Sequence, residues 1–172
     1  MSNRRIVNVP KARQHELAAQ FPWLMEVDNN ARPENVQILS VSVFDHWLSH
    51  EEAGEKLENV PAAEQRRRDM LLADFCSRMF ASTEVMSFAQ RGRQCRRIIF
   101  RRFLSDEVIS QYCRPDGGRI FGHRHFQVVL PEFGCALYES WDDTYHFFFT
   151  RPGIAEAAQV WADQSGVYLL DR

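Results

Sequence analysis

Three histidines and one glutamate in the last third of the chain are the residues best suited to bind a metal. His123 and His125 are two positions apart, so their side chains would share a face of a strand. Glu139 and His146 follow on two further predicted strands, and a two-residue turn at 142–143 would pair them directly. Because imidazole and carboxylate are common ligands of Zn and Fe, one alternative is that these residues form a metal site in a metal-dependent enzyme. The other alternative is that they are ordinary solvent-facing or hydrogen-bonded residues of the sheet.

The length of the loop at 131–134 decides whether these four side chains meet. A loop of four residues would pair Leu130 with Cys135 and direct Glu139 away from the two neighbouring histidines, whereas an odd loop would bring the whole set onto one face. Both lengths are common in hairpins, so both alternatives stay open. The chain has no nucleophile elbow, phosphate loop or dinucleotide fingerprint. We therefore predict no catalytic residue, and no cofactor other than Zn or Fe.

Residues 91–102, RGRQCRRIIFRR, form a basic segment that contains no acidic residue. Guanidinium groups bind carboxylates and phosphates, so the segment predicts contact with an anion or an acidic partner. The alternative is internal pairing with the acidic stretch 51–58. Nucleic acid is a less favoured partner, because no nucleic-acid-binding fingerprint accompanies the segment. The arginines concerned are Arg91, Arg93, Arg96, Arg97, Arg101 and Arg102.

Aromatic residues are dense on both predicted faces of the last hairpin. With a two-residue turn, one face would carry Tyr138, Tyr145, Phe147 and Phe149, and the other face would include Trp141 and Phe148. A sheet with one solvated face should be polar on that face. Either helices cover both faces, or one aromatic face contacts a ligand or partner. The candidate contact residues are Tyr138, Trp141, Tyr145 and Phe147.

The order of predicted elements favours an α+β fold. Period-two alternation predicts a strand over 36–44, and apolar spacing of three and four predicts a helix from Pro61 to about Phe80. A shorter helix is expected from Thr83 to Gly92, and a strand within 94–104. The C-terminal part, about 119–150, predicts a three-stranded antiparallel meander with strands at 119–130, 135–141 and 144–150. A helix from Pro152 to Gly166 and a final strand over 167–170 are expected after the meander. The N-terminal half is expected to be largely helical.

Composition limits the class of protein. The chain has 172 residues, a net charge of −2 and 45% hydrophobic residues, which predicts a single domain over 1–172 with a sizeable core. Its first ten residues lack the apolar run of a signal peptide, and its apolar stretches are too short to span a membrane. The four cysteines form no CxxC pair, so we expect reduced, mostly buried thiols and a cytoplasmic location.

These features together predict a small intracellular binding or interaction protein. It would use the aromatic sheet face and the basic segment 91–102 to contact a protein partner, a second copy of itself or an anionic ligand. Whether it is also an enzyme depends on the histidine and glutamate set. Metal content would test that alternative, and a steep fall of affinity with salt would test nucleic-acid binding.

Overall fold

The computed structural model describes residues 5–27, 33–91, 97–115, 117–122 and 125–171. Its strands are β1 (Ile6–Asn8), β2 (Gln37–Ser42), β3 (Met86–Arg91), β4 (Arg97–Phe103), β5 (Gln127–Leu130), β6 (Cys135–Glu139), β7 (Thr144–Phe149) and β8 (Tyr168–Asp171). Its helices are α1 (Lys11–Gln20), α2 (Leu24–Val27), α3 (His50–Leu57), α4 (Ala62–Phe80), α5 (Asp106–Tyr112), α6 (Gly117–Ile120) and α7 (Gly153–Ser165). Among the described residues, no helix is both long and apolar enough to cross a membrane.

All eight strands belong to one antiparallel sheet in the order β1-β4-β3-β5-β6-β7-β2-β8. The predicted α+β class and the antiparallel C-terminal meander are therefore confirmed, with β5, β6 and β7 as its three strands. The early strand β2 lies between β7 and β8 and pairs with both of them.

Helices cover both faces of the sheet. On one face, α4 and α7 pack over a core that includes Phe75, Phe147 and Ala158. On the other face, α1, α2 and the segment between them contribute a second cluster, in which Leu17 and Phe21 join Phe88, Phe100 and Phe148. Because both faces are buried, the central strands carry apolar residues at successive positions, as buried sheets do.

Several helix ends are fixed by residues close to them in sequence. Ser49 and Glu52 form a reciprocal capping box at the start of α3. The Ser105 side chain accepts a hydrogen bond from the backbone N–H of Val108 at the start of α5. Gly166 ends α7 in the left-handed conformation, with a φ of 70°. These ends were predictable because each depends on a few neighbouring residues.

Of the predicted elements, one is wrong and one begins later than expected. Residues 86–91 form strand β3 and not a helix, because Met86, Phe88 and Ala89 are buried in the middle of the sheet. The predicted strand over 119–130 is present as β5 but is shorter than predicted, since α6 occupies its start and β5 begins only at Gln127. Gly118, in α6, lies close to the backbone that leads into β5. A Cβ at this position would lie only 2.7 Å from the carbonyl carbon of His125.

Candidate functional site

A polar cleft of about 320 Å³ lies where the first half of α4 faces the adjoining ends of β6 and β7. We call it the α4 cleft. It is lined by Leu57, Gln65, Asp69, Leu72, Pro115, Arg119, His125, Glu139, Ser140, Trp141, Asp143 and Tyr145. Most of these side chains are polar, which distinguishes the cleft from the apolar core directly beneath it.

Arg68 fixes α4 against the β6–β7 turn. The residue is 6% exposed, and its guanidinium donates hydrogen bonds to Asp143 Oδ2 at 2.9 Å and to Glu64 Oε1 at 3.0 Å. It also donates to the carbonyl oxygen of Lys56 at 2.8 Å and lies 5.0 Å from the centre of the Phe44 ring. A buried charge is stable only when it is paired and hydrogen-bonded, so these partners hold Arg68 and the turn together.

The β6–β7 turn places Asp143 at the wall of the cleft. The backbone N–H of Ser140 donates to the carbonyl oxygen of Thr144 at 2.9 Å, which leaves residues 141–143 as the turn. Asp143 takes a left-handed φ of 53°, as the third residue of such a hairpin commonly does. The Gln65 amide donates to Asp143 Oδ1 at 2.8 Å and to Asp69 Oδ1 at 3.0 Å, so it links the turn to the next turn of α4.

Glu139 and His125 meet on one side of the cleft. The Glu139 side chain is 5% exposed, and its Oε2 accepts a hydrogen bond from the backbone N–H of Phe126 at 2.9 Å. His125 Nδ1 lies 3.8 Å from the same oxygen, and the His125 side chain is 30% exposed. The carboxylate is therefore held from within the fold, while the imidazole remains accessible from the cleft.

Tyr145 lies opposite Glu139 in the β6–β7 ladder and forms the floor of the cleft. The residue is 1% exposed, and its ring packs edge-to-face on Phe126 with centres 5.0 Å apart. Its hydroxyl makes no hydrogen bond to any residue that the structure describes. Burial raises the pKa of Tyr145 well above its usual value, and the neighbouring Cys76 and Glu139 add to the shift. The group is thus a neutral phenol that can donate or accept.

The lining combines hydrogen-bond donors and acceptors. Asp69 and Ser140 supply acceptor oxygens, whereas Arg119 is an exposed donor that adds positive charge to the lining. The charge of Asp143 is balanced by Arg68, from which it is 2.9 Å away. Trp141 is 73% exposed and supplies an aromatic surface to the lining. Such a lining suits a molecule that carries both donors and acceptors.

The structure separates His146 from the other described residues that were predicted to bind a metal. Leu130 pairs with Cys135, so the loop at 131–134 has the four-residue length. The predicted pairing of Glu139 with His146 is wrong, because Glu139 pairs with Tyr145 while His146 pairs with Tyr138 and projects from the other face. His146 Nδ1 is instead 3.0 Å from Ser40 Oγ.

His125 still approaches Glu139, because it precedes β5 and is not bound by the alternation of that strand. His123 lies outside the described residues, so the structure does not place the fourth member of the set. Within the described parts of the chain, no three His, Cys, Asp or Glu side chains are grouped to hold a metal ion. Metal binding that includes His123 stays a prediction.

The four aromatic residues predicted to contact a partner do not share one exposed face. Tyr145 and Phe147 are 1% and 0% exposed beneath α4 and α7. Tyr138 lies on the opposite face, where it packs edge-to-face against Phe88 and Phe148. The turn at 141–143 is one residue longer than predicted, and this reverses the face of every β7 residue relative to β6. Trp141 alone among the four candidates is largely exposed.

The basic segment does not form one arginine face within its described part. Arg101 and Arg102 project from opposite faces of β4, because successive side chains of a strand alternate. Arg97 and Arg102 are exposed, and Arg101 is half-buried. Arg93, Arg96 and the side chain of Arg91 lie outside what the structure describes. Binding of an anion or partner here stays a prediction.

Three of the four cysteines are buried and unpaired, namely Cys76, Cys113 and Cys135. Burial raises the pKa of each thiol, so none of the three is a ready thiolate nucleophile. The sequence prediction of buried thiols is confirmed for these residues, while Cys95 lies outside the described part.

Four of the residues that build the cleft were not predicted from the sequence: Arg68, Asp69, Arg119 and Asp143. Arg68 did carry a signal, because it stands four residues before Leu72 on the apolar stripe of α4. A charged residue within such a stripe indicates a buried ion pair. Asp69 and Arg119 carry no comparable signal, since only the tertiary fold brings them together.

A comparison of the chain with models of known families, curated proteins and solved structures finds no significant match.

Proposed function

We propose that this protein binds a small polar molecule in the α4 cleft. The observation that carries the proposal is the Tyr145 hydroxyl, which is buried at the cleft floor without a hydrogen-bond partner among the described residues. A buried hydroxyl that lacks a partner costs about 1–3 kcal/mol. A bound molecule that hydrogen-bonds to this group would recover that cost, and the fold would thereby favour the bound state.

The remaining lining supports a ligand with both donors and acceptors. Acceptor oxygens of Asp69 and Ser140 suit amine, amide or hydroxyl hydrogens, while Arg119 suits a carboxylate or another acceptor. The volume of about 320 Å³ lies at the small end of ligand sites. Amino acids, small amines, polyols and nucleosides are therefore the classes to test.

Replacing Tyr145 with phenylalanine should separate binding from folding. Tyr145→Phe removes the buried hydroxyl without changing the ring, so the unliganded variant should be as stable as the wild type or about 1 kcal/mol more stable. The same change should abolish the stabilisation by a ligand, which for the wild type is about 2.7 kcal/mol at 100 times Kd. Urea denaturation measures the first effect, and a thermal-shift panel of the four classes measures the second.

Tyr168→Phe is the matched control, because Tyr168 is 47% exposed on β8 and is not part of the cleft lining. It should change neither stability nor ligand response. A Tyr145→Phe variant destabilised by about 1 kcal/mol or more would mean that the hydroxyl already has a partner in the fold. Compounds that stabilise wild type and variant equally, or a panel without any response, would also contradict the proposal.

A further inference from the structure

One edge of the sheet is only partly covered. The edge strand β1 has three residues and pairs with Arg101–Phe103. At Phe100, the next position of β4 along this edge, Val9 and Gln14 supply the hydrogen bonds. The N–H of Val9 donates to the Phe100 carbonyl at 3.2 Å. The Gln14 amide donates to the same carbonyl at 2.7 Å, and its oxygen accepts from the Phe100 N–H at 2.9 Å. The Gln14 side chain thus substitutes for a neighbouring strand at Phe100.

Two residues earlier, β4 has no partner strand on this side among the described residues. In an antiparallel ladder, the N–H and C=O of every second residue point to the same side, so Ile98 directs its backbone groups outward as Phe100 does. No strand among the described residues pairs with positions 97–99 on this side. An edge of this kind is a template for another strand.

A groove of about 320 Å³ borders this edge. We call it the α1 groove, and its lining consists of Gln14, His15, Ala18, Phe21, Pro22, Met25, Arg97 and Ile98. Ala18, Phe21, Pro22 and Met25 form the apolar part of this lining. Arg97 and His15 are its ionisable residues, and the lining has no carboxylate. An apolar side chain flanked by acidic ones is the complement of this surface.

The charge of Arg97 also decides between a partner and a second copy. If two copies joined through this edge by a two-fold axis, the exposed Arg97 side chains would be brought together, and like charges across a strand pair are destabilising. Charged residues on edge strands are a common protection against such self-association. An acidic segment of another protein would instead be attracted by Arg97.

We propose that an extended acidic peptide segment of a partner protein adds to the sheet along Ile98. Its backbone would hydrogen-bond to the outward N–H and C=O of Ile98, and an apolar side chain would enter the α1 groove. Main-chain bonds give affinity in this mode of recognition, and pockets beside the strand give specificity. This site uses the opposite face of the sheet from the α4 cleft and is independent of it.

The test is selection of a random library of displayed twelve-residue peptides on the whole protein, followed by affinity measurement of the enriched peptides. We expect the enriched sequences to alternate apolar and acidic residues. Ile98→Pro should weaken binding at least tenfold, because it removes the outward N–H and blocks the edge. Proline fits an edge strand whose N–H faces solvent, so the β3–β4 ladder should survive. Ile98→Val keeps the N–H and should bind as the wild type does.

A second measurement does not depend on the stability of the proline variant. N-methylation of successive peptide bonds in an enriched peptide should weaken binding at every second position, because only those N–H groups would face β4. Arg97→Glu should weaken binding of the acidic peptides several-fold, and added salt should reduce the difference.

Three outcomes would overturn the proposal. They are a selection without enriched peptides, equal binding to wild type and to a folded Ile98→Pro variant, and an N-methylation profile without alternation. A single-stranded oligonucleotide serves as a comparison. If it binds through Arg97 and no peptide does, this part of the basic segment contacts nucleic acid and not a partner strand.

Discussion

Arg68 occupies a position on α4 that the apolar spacing assigns to the core. Residues 68, 72, 75 and 79 follow each other at intervals of three and four, and Leu72, Phe75 and Met79 are fully buried. The guanidinium is tolerated there because Glu64, Asp143 and a carbonyl oxygen accept its hydrogen bonds. The hydrogen bonds of Arg68 therefore fix the position of Asp143, which lines the α4 cleft.

Removal of Arg68 should be costly. Arg68→Ala leaves Asp143, whose side chain is 14% exposed, without its cationic partner. Breaking a buried pair by removing one member typically costs about 3–5 kcal/mol. We expect a loss of about 3 kcal/mol in urea denaturation, and a smaller loss for Arg68→Lys, which keeps the charge but not the forked geometry.

Arg67→Ala is the matched control. Arg67 also pairs with Glu64, at 2.8 Å, but its side chain is 57% exposed. Exposed pairs contribute less than about 1 kcal/mol. Equal losses for the two variants would show that burial of Arg68 is not what gives its ion pair its strength.

At the scale of elements, helix ends and strand content were predictable, but hairpin register was not. Capping at Ser49 and Ser105 depends on residues three apart in sequence. The turn at 141–143 could equally have been read as two residues, since Asp-Asp suits either form and only the left-handed φ of Asp143 settles it. One residue of turn length moved His146 away from Glu139 and Tyr138 away from Tyr145.

Gly166 makes a testable contribution to the end of α7. Its φ of 70° lies in the left-handed region, so Gly166→Ala should destabilise the protein by about 1 kcal/mol. The new methyl group would lie 3.7 Å from a Leu71 methyl, which is an ordinary contact, so the loss reflects backbone strain. Thermal denaturation would show it as a lower Tm.

Gly153→Ala is the opposite case on the same helix. Gly153 is the first residue of α7, has no positive φ, and an added Cβ would meet nothing within 4 Å. Its replacement by alanine should raise stability by about 0.5–1 kcal/mol. A Gly166→Ala variant as stable as Gly153→Ala would contradict a left-handed C-cap.

At the scale of the whole molecule, the two covered faces could not be decided from the sequence. The aromatic residues of 144–149 indicated burial on both sides, but not whether helices or a partner supplied it. The structure assigns one face to α4 and α7 and the other to α1, α2 and the segment between them, which lie far from β7 in sequence. Periodicity reports that a face is buried and does not identify what covers it.

Adjacent residues of β7 test this double coverage. Phe147 and Phe148 are 0% and 6% exposed on opposite faces, so each substitution by alanine should cost about 3–5 kcal/mol in urea denaturation. Val160→Ala, at a position 53% exposed on α7, should change stability by less than about 0.5 kcal/mol. A mild effect of Phe148→Ala beside a severe one of Phe147→Ala would mean that the second face is open.

The place of β2 in the sheet has a consequence for synthesis on the ribosome. Its partners are β7 and β8, and 106 residues separate Ser40 from His146. At usual translation speeds, roughly 5–20 s pass between their appearance, during which the nascent chain presents Ile38, Leu39 and Val41 without their eventual neighbours. Until β7 and β8 emerge, the growing polypeptide therefore presents unpaired strand edges and apolar side chains, which are the features that make nascent chains prone to aggregation.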